Sequence, residues 1–300
     1  MIDPEALILC SSEFARHDAR LFEVYQNWLL KNGSLINLQR LVNIRKSYHL
    51  GNDDVMRSLA HKLSNSSSRL SKWKKIATHS VFNHVSHEEP RQQRENLLYS
   101  IPLETQLSPD MLDEDFMNYG LVALKFENRD TSTPPSQNKS CNLIFKLRAL
   151  FGCNSRAEIL AWLITTSSGH PARIAHETHY FTKSVQETLN QLAKSELISF
   201  YRGERLKHFS LDQQHWLKFL NTASPQRRDW ARLFACHQLF HSKLEKKEKS
   251  KASNTLISAT IKSAHKNSKF THPLIPIKCD ESENYSEYII ESLMNTLQTP

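Results

Sequence analysis

NSRAEILAWLITTSSGHPARIAHETHYFTKSVQETLNQLAKSELISFYRGERLKHFSL, residues 154–211, decides how this chain is read. Ile159, Leu160, Leu163 and Ile164 recur at helical spacing, which gives a first helix one apolar face. That helix is expected to open on a capping box, in which the Ser155 hydroxyl and the Glu158 carboxylate each satisfy a backbone N–H of the first turn. Trp162 lies off the apolar face and is expected to meet another element rather than water. Gly169, His170 and Pro171 break the chain, and ARIAHETHYF then supplies a short second helix with Ile174 and Ala175 inward. Val185, Leu189 and Leu192 give a longer third helix its stripe. ISFYRGERLKHFSL closes the stretch as a β-hairpin, with strand-forming residues on both sides of Arg202-Gly203-Glu204-Arg205 and a glycine to relax the turn.

The ordered set Ile174-Ala175, a turn, Val185, Leu189, Leu192 and Leu197, then a hairpin, resembles the winged helix-turn-helix regulators of the MarR and ArsR type. The resemblance covers only the central part of the chain, about 70 of its 300 residues. Three positions depart from the family pattern. His179 stands where a turn glycine is usual, Glu196 replaces the glycine before Leu197, and Phe181 takes the place of a capping Ser or Thr, leaving Thr182 or Ser184 to cap.

With Val185, Leu189 and Leu192 on the core, a 3.6-residue period puts Lys183, Gln186, Glu187 and Asn190 on the opposite face. The resemblance implies that this face, with Thr182 and Ser184 at the helix start, meets the major groove of double-stranded DNA. Gln186 and Asn190 carry amides suited to adenine, Lys183 suits guanine or phosphate, and Glu187 could accept from cytosine. Arg202, Arg205 and Lys207 would place positive charge on phosphate from the wing.

The rest of the composition agrees with a helical, polyanion-binding protein. The 300 residues have 39% hydrophobic content, only six glycines and eleven prolines, and a net charge of +8. Basic residues cluster at 69–75, 202–207 and 227–251. The acids of 110–115 read as a solvated surface strip. Five dispersed cysteines without a C-x-x-C pair suit a reducing compartment, and Asp3 and Glu5 stand where a secretory leader would be positive. No apolar run approaches the ~18 residues of a membrane span, so a soluble, cytoplasmic protein is expected.

The domain expectation has four parts. Residues 1–128 form a helical region for dimerisation or partner binding, marked by Leu21, Tyr25, Trp28 and Leu29, by Leu38, Leu41 and Val42, and by Val55, Leu59 and Leu63, with breaks at Gly33 and Gly51. Residues 129–140 are a Pro/Ser linker, 141–222 the winged helix-turn-helix, and 223–300 a helical segment with a basic stretch, ending in an apolar stripe at Tyr285, Tyr288, Ile289, Leu293 and Leu297. Tyr119–Phe126 fits either a strand or a short helix.

Enzymatic chemistry finds no motif. Phosphate-cradling glycine loops are absent from the sequence, Gly33-Ser34 lies too far from Asp113–Asp115 for a nucleotidyltransferase, and no nucleophile elbow occurs. His170, His176 and His179, and Cys236, His237 and His241, lack the thiolate pairs of a structural zinc site, so neither metal nor cofactor is expected. The chain is read as a sequence-specific double-stranded DNA-binding protein, most simply a prokaryotic transcriptional regulator and a homodimer. Two alternatives stand beside it: a protein-interaction adaptor built on the same module, and an RNA or single-strand binder centred on Trp73 among Arg69, Lys72, Lys74 and Lys75.

Overall fold

The computed structural model describes residues 1–82, 95–99, 108–126, 132–202 and 207–248. Two compact units are present, Met1–Phe234 and Ala235–Pro300, the second described only as far as residue 248, where it is helical. The described residues are mainly α-helical with few short strands. No helix among them is long and apolar enough to cross a membrane.

The first half is built from α1 (Pro4–Phe14), α2 (Ala19–Asn32), α3 (Leu38–Tyr48), α4 (Asp53–Ser66) and the short α5 (Lys74–Ala77). Asp3, Asp18, Asn37 and Asn52 start the first four, each side chain accepting from a first-turn N–H, an arrangement worth about 1 kcal/mol per cap. Between α3 and α4, Gly51 has φ 92°, and a Cβ there would lie 2.6 Å from the Leu9 carbonyl oxygen. Phe22, Leu29, Leu41, Ile44, Val55, Leu59 and Trp73 form the core. Phe22, not Leu21, turns inward at the start of α2, so the expected stripe holds only from Tyr25 onward.

Trp73 is fully buried and donates through Nε1 to the Gly33 carbonyl at 3.1 Å. Beside it, the Lys72 ammonium donates to the carbonyls of Ser34 and Ile36 at 2.9 and 2.8 Å. The basic-aromatic stretch thus closes a helix junction and offers no ring on which a base could stack.

Strand β1 (Glu95–Asn96) pairs in parallel with β2 (Leu121–Val122), and α6 (Glu114–Met117) precedes β2. The acidic strip is solvated only in part: Asp110 and Glu114 are exposed, whereas Asp113 is buried, caps α6 and pairs with Lys62, and Asp115 lies 2.7 Å from His61 Nδ1. Asp113 and Asp115 thus tie α6 to α4.

A second core is formed by α7 (Leu143–Phe151), α8 (Ser155–Thr166), β3 (Ser168–Gly169), α9 (Pro171–Thr178), α10 (Thr182–Lys194), β4 (Ser199–Arg202), β5 (Lys207–Ser210) and α11 (Gln213–Phe219). The strands form one antiparallel sheet in the order β3-β5-β4, with Phe200 opposite Phe209 and Arg202 opposite Lys207. Helix, short helix, longer helix and hairpin follow in the expected order, and β3 adds a strand where the sequence suggested only a break.

The capping box at Ser155 does not form. Asn154 caps α8 instead, its Oδ1 accepting from Arg156 N at 2.9 Å. Ser155 bonds Thr188 Oγ1 at 3.1 Å, and Glu158 turns inward to Arg148, because partners from other elements outcompete the local ones. Trp162 is fully buried, with Nε1 donating to Glu177 Oε2 at 2.8 Å. Gly169 leaves room for that indole, since a Cβ would come within 2.3 Å of its ring.

Helix α12 (Trp230–Glu248) begins in the first unit, where Ala231, Trp230 and Phe234 pack on the first core. The stripe expected at Tyr285, Tyr288, Ile289, Leu293 and Leu297 lies outside the described residues.

Within the first unit the two cores are joined across a buried seam of charges. Glu5 on α1 receives Arg148 of α7 through Nη1 and Nη2, both at 2.8 Å, and Arg40 of α3 at 2.7 Å. Arg40 also holds Asp3 and donates to the Thr178 carbonyl, while Glu158 of α8 pairs with Arg148. Glu5 is fully buried and Arg148 nearly so. Removing one member of such a cluster leaves an uncompensated charge, at a cost of about 3–5 kcal/mol.

Candidate nucleic-acid interface

The turn between α9 and α10 sets the direction of α10. His179 sits there in the left-handed region, φ 61° and ψ 39°, which is costly for a residue with a Cβ. Tertiary contacts hold it. Its ring meets Tyr48 edge-on at 5.6 Å, its carbonyl accepts from Asn43 Nδ2 at 2.8 Å, and the neighbouring Tyr180 hydroxyl bonds Asn37. Burial, followed by the nearby Arg40, lowers the imidazole pKa to about 3, so the turn carries a neutral histidine.

Helix α10 buries Val185, Leu189 and Leu192, as its spacing requires. Thr188 is buried with them. Its Oγ1 bonds the Ser184 carbonyl at 2.9 Å as well as Ser155, so a hydroxyl pair fastens α10 to α8.

On the outer face, Thr182, Lys183, Gln186 and Glu187 are exposed, and Ser184 is half-buried. Neither Thr182 nor Ser184 caps the helix: Phe181 occupies the cap position in extended conformation and makes no side-chain cap bond, which leaves both hydroxyl residues inside the first turn. The Phe181 ring is 69% exposed, the most open of the large apolar side chains described.

Asn190 is half-buried rather than open. Its Oδ1 accepts from Lys207 Nζ at 3.2 Å, and that ammonium lies 3.9 Å from the Phe200 ring centroid and 4.8 Å from that of Phe209. The hairpin is therefore tied to the outer helix face through one lysine. Arg202 lies in β4, with its side chain outside the description, and Arg205 lies outside the described residues.

Other residues at this surface escaped sequence reasoning. Arg156 on α8 is exposed and donates from Nη2 to Gln191 Oε1 at 2.9 Å, which adds a cation beside α10. Phe181 was read only as a poor cap, and Thr188 not at all. Arg156 and Thr188 depend on the packing of α8 against α10, which no periodicity reveals. At the far end of α10, Glu196 has φ 57°, and Ile198 rather than Leu197 enters the core.

The histidines near the turn have structural uses. His170 Nδ1 accepts from Ala172 N at 3.2 Å and caps α9, and His179 holds the turn. Among the described residues no group of three or more His, Cys, Asp or Glu is arranged to hold a metal ion.

No family model, no curated protein and no solved structure matches the chain. Its functional reading rests on the geometry of α8, α9, α10 and the β4–β5 hairpin.

Proposed function

We propose that residues 141–222 form a winged helix-turn-helix that binds double-stranded DNA in a sequence-dependent way, with α10 in the major groove and the β4–β5 hairpin as the wing. The observation that carries this is the exposed polar face of α10, Lys183, Gln186 and Glu187, clamped to the hairpin by the Lys207–Asn190 bond. A helix held this firmly from behind, by Thr188 and by the His179 turn, presents its N-terminal half as a rigid surface of groove dimensions. Exposed Lys183 and Arg156 supply charge for phosphate, in keeping with the net charge of +8.

Transcriptional regulation by a homodimer follows as the simplest use. One helix and one hairpin make a small footprint, and two copies on half-sites about 34–36 Å apart multiply affinity. The test is selection of bound duplexes from a random pool by the full chain, followed by anisotropy titrations and light scattering of the complex. An enriched motif bound well above random DNA supports the proposal, and enrichment of two spaced half-sites supports the dimer. A pool that stays random would transfer the module to protein contact, for which Phe181, Phe200 and Tyr201 offer exposed rings.

A further inference from the structure

The Lys207–Asn190 contact says more than that wing and helix are joined. A lysine ammonium can only donate, so the oxygen of the Asn190 amide is the end that faces it, and the orientation of the amide is settled by its partner. The NH2 end then points away from Lys207. The ammonium itself is seated over the Phe200 and Phe209 rings, which keeps it from swinging free of the amide. Together the two side chains present hydrogen-bond donors, and the acceptor that a free asparagine would offer lies against a cation.

Major-groove edges distinguish between these two situations. Adenine offers an acceptor at N7 and a donor at N6, which a free amide matches with its own donor and acceptor. Guanine offers acceptors at both N7 and O6, which suit a pair of donors. The Asn190 oxygen keeps a second lone pair, but an adenine N6 amino group using it would lie beside the Lys207 ammonium, positive hydrogens against a cation, whereas a guanine acceptor there is attracted. We propose that Asn190 and Lys207 act as one donor pair that reads guanine. This rests on the DNA-binding reading above, and it replaces adenine as the base expected opposite Asn190. Gln186, exposed one turn earlier on α10, remains the amide suited to adenine.

The experiment repeats the duplex selection with the full chain as wild type, Asn190→Ala and Lys207→Met, the methionine retaining most of the apolar stem. Wild type should enrich guanine at the position that Asn190→Ala relaxes. Lys207→Met should shift that same position toward adenine, because the amide oxygen is released. An independent arm needs no variant: 7-deazaguanine at that position, lacking the N7 acceptor, should weaken wild-type binding about tenfold. Adenine enriched there by wild type, an unshifted preference in Lys207→Met, or unchanged affinity for the 7-deaza duplex would each overturn the guanine assignment while leaving DNA binding intact. A random pool from wild type would overturn both.

Discussion

The charged seam around Arg148 and the outer face of α10 use the same kinds of side chain to opposite ends. In the seam, the Arg148 guanidinium donates to Glu5, Glu158 and the Leu35 carbonyl, and the cluster is closed to solvent. On α10, Lys183 and Glu187 stand exposed to solvent. A net charge of +8 counts both regions alike, so the total says little about a ligand. What separates them is whether the fold itself satisfies the charge.

Breaking the seam should have the largest effect. Arg148→Met leaves buried Glu5 with Arg40 as its one ion-pair partner among the described residues, and about 3–5 kcal/mol of stability should be lost. Urea denaturation followed by circular dichroism reads this directly. Lys183→Met, removing an exposed charge of the same sign, should stay within about 0.5 kcal/mol of wild type. Equal midpoints for the two variants would abolish the distinction between the regions.

The converse experiment acts on the face and spares the fold. Gln186→Ala should lose about 1–3 kcal/mol of discrimination at one base position, with an unchanged unfolding midpoint. Lys183→Ala should lower the slope of log K against log salt by about one if the side chain meets phosphate, measured by anisotropy across a salt series. A Lys183 variant with the wild-type slope and a relaxed motif would move that lysine from phosphate to a base edge.

The contrast also explains what the sequence made legible. Val185, Leu189, Leu192, Ile174 and Ala175 were found because a helix face is a local pattern, and the structure buries all five. Asp3 and Glu5 were weighed only as charges unsuited to a leader, yet they anchor Arg40 and Arg148, partners 37 and 143 residues away in the chain. Ser155 and Glu158 fit a capping box locally but serve α10 and α7 instead. The period put Asn190 with the exposed residues of α10, but it is half-buried, because its bond to Lys207 depends on how the hairpin folds back. Long-range pairing of polar groups leaves no periodic trace, so the apolar framework was readable and the polar wiring was not.

The turn that links the two regions should show the contrast as a pH effect. With the native imidazole pKa lowered to about 3 from 6.5 by burial and then by Arg40, the unfolded chain binds a proton in the interval between them that the native state does not. Stability is therefore fully present above 6.5 and declines as the pH falls, by roughly 1–2 kcal/mol at pH 5. Burial pushes the Asp3 carboxyl up but Arg40 holds it lower still, so its own contribution is lost only below its ordinary 3.8. His179→Asn tolerates the left-handed backbone and does not titrate. Its midpoint should fall less than that of wild type between pH 7 and 5, and parallel curves would mean the imidazole is not held neutral.

The smallest effect compares two helix ends of the same design. Helices α9 and α10 both close with an N–H reaching back five residues, Tyr180 to the Ala175 carbonyl and Leu197 to that of Leu192, each at 3.0–3.1 Å. Both place a left-handed residue before that N–H, His179 and Glu196. His179 is held by Tyr48 and Asn43, whereas the Glu196 side chain is exposed, so only the second carries strain that a side-chain deletion can release. Glu196→Gly should stabilise the fold by about 0.5–1 kcal/mol, the relief of the left-handed penalty exceeding the added chain entropy. Glu196→Ala retains the Cβ and should be near neutral, which separates backbone strain from loss of the charge. If both variants gained equally in thermal midpoint, the charge and not the backbone would be the source, and the two helix ends would no longer be counterparts.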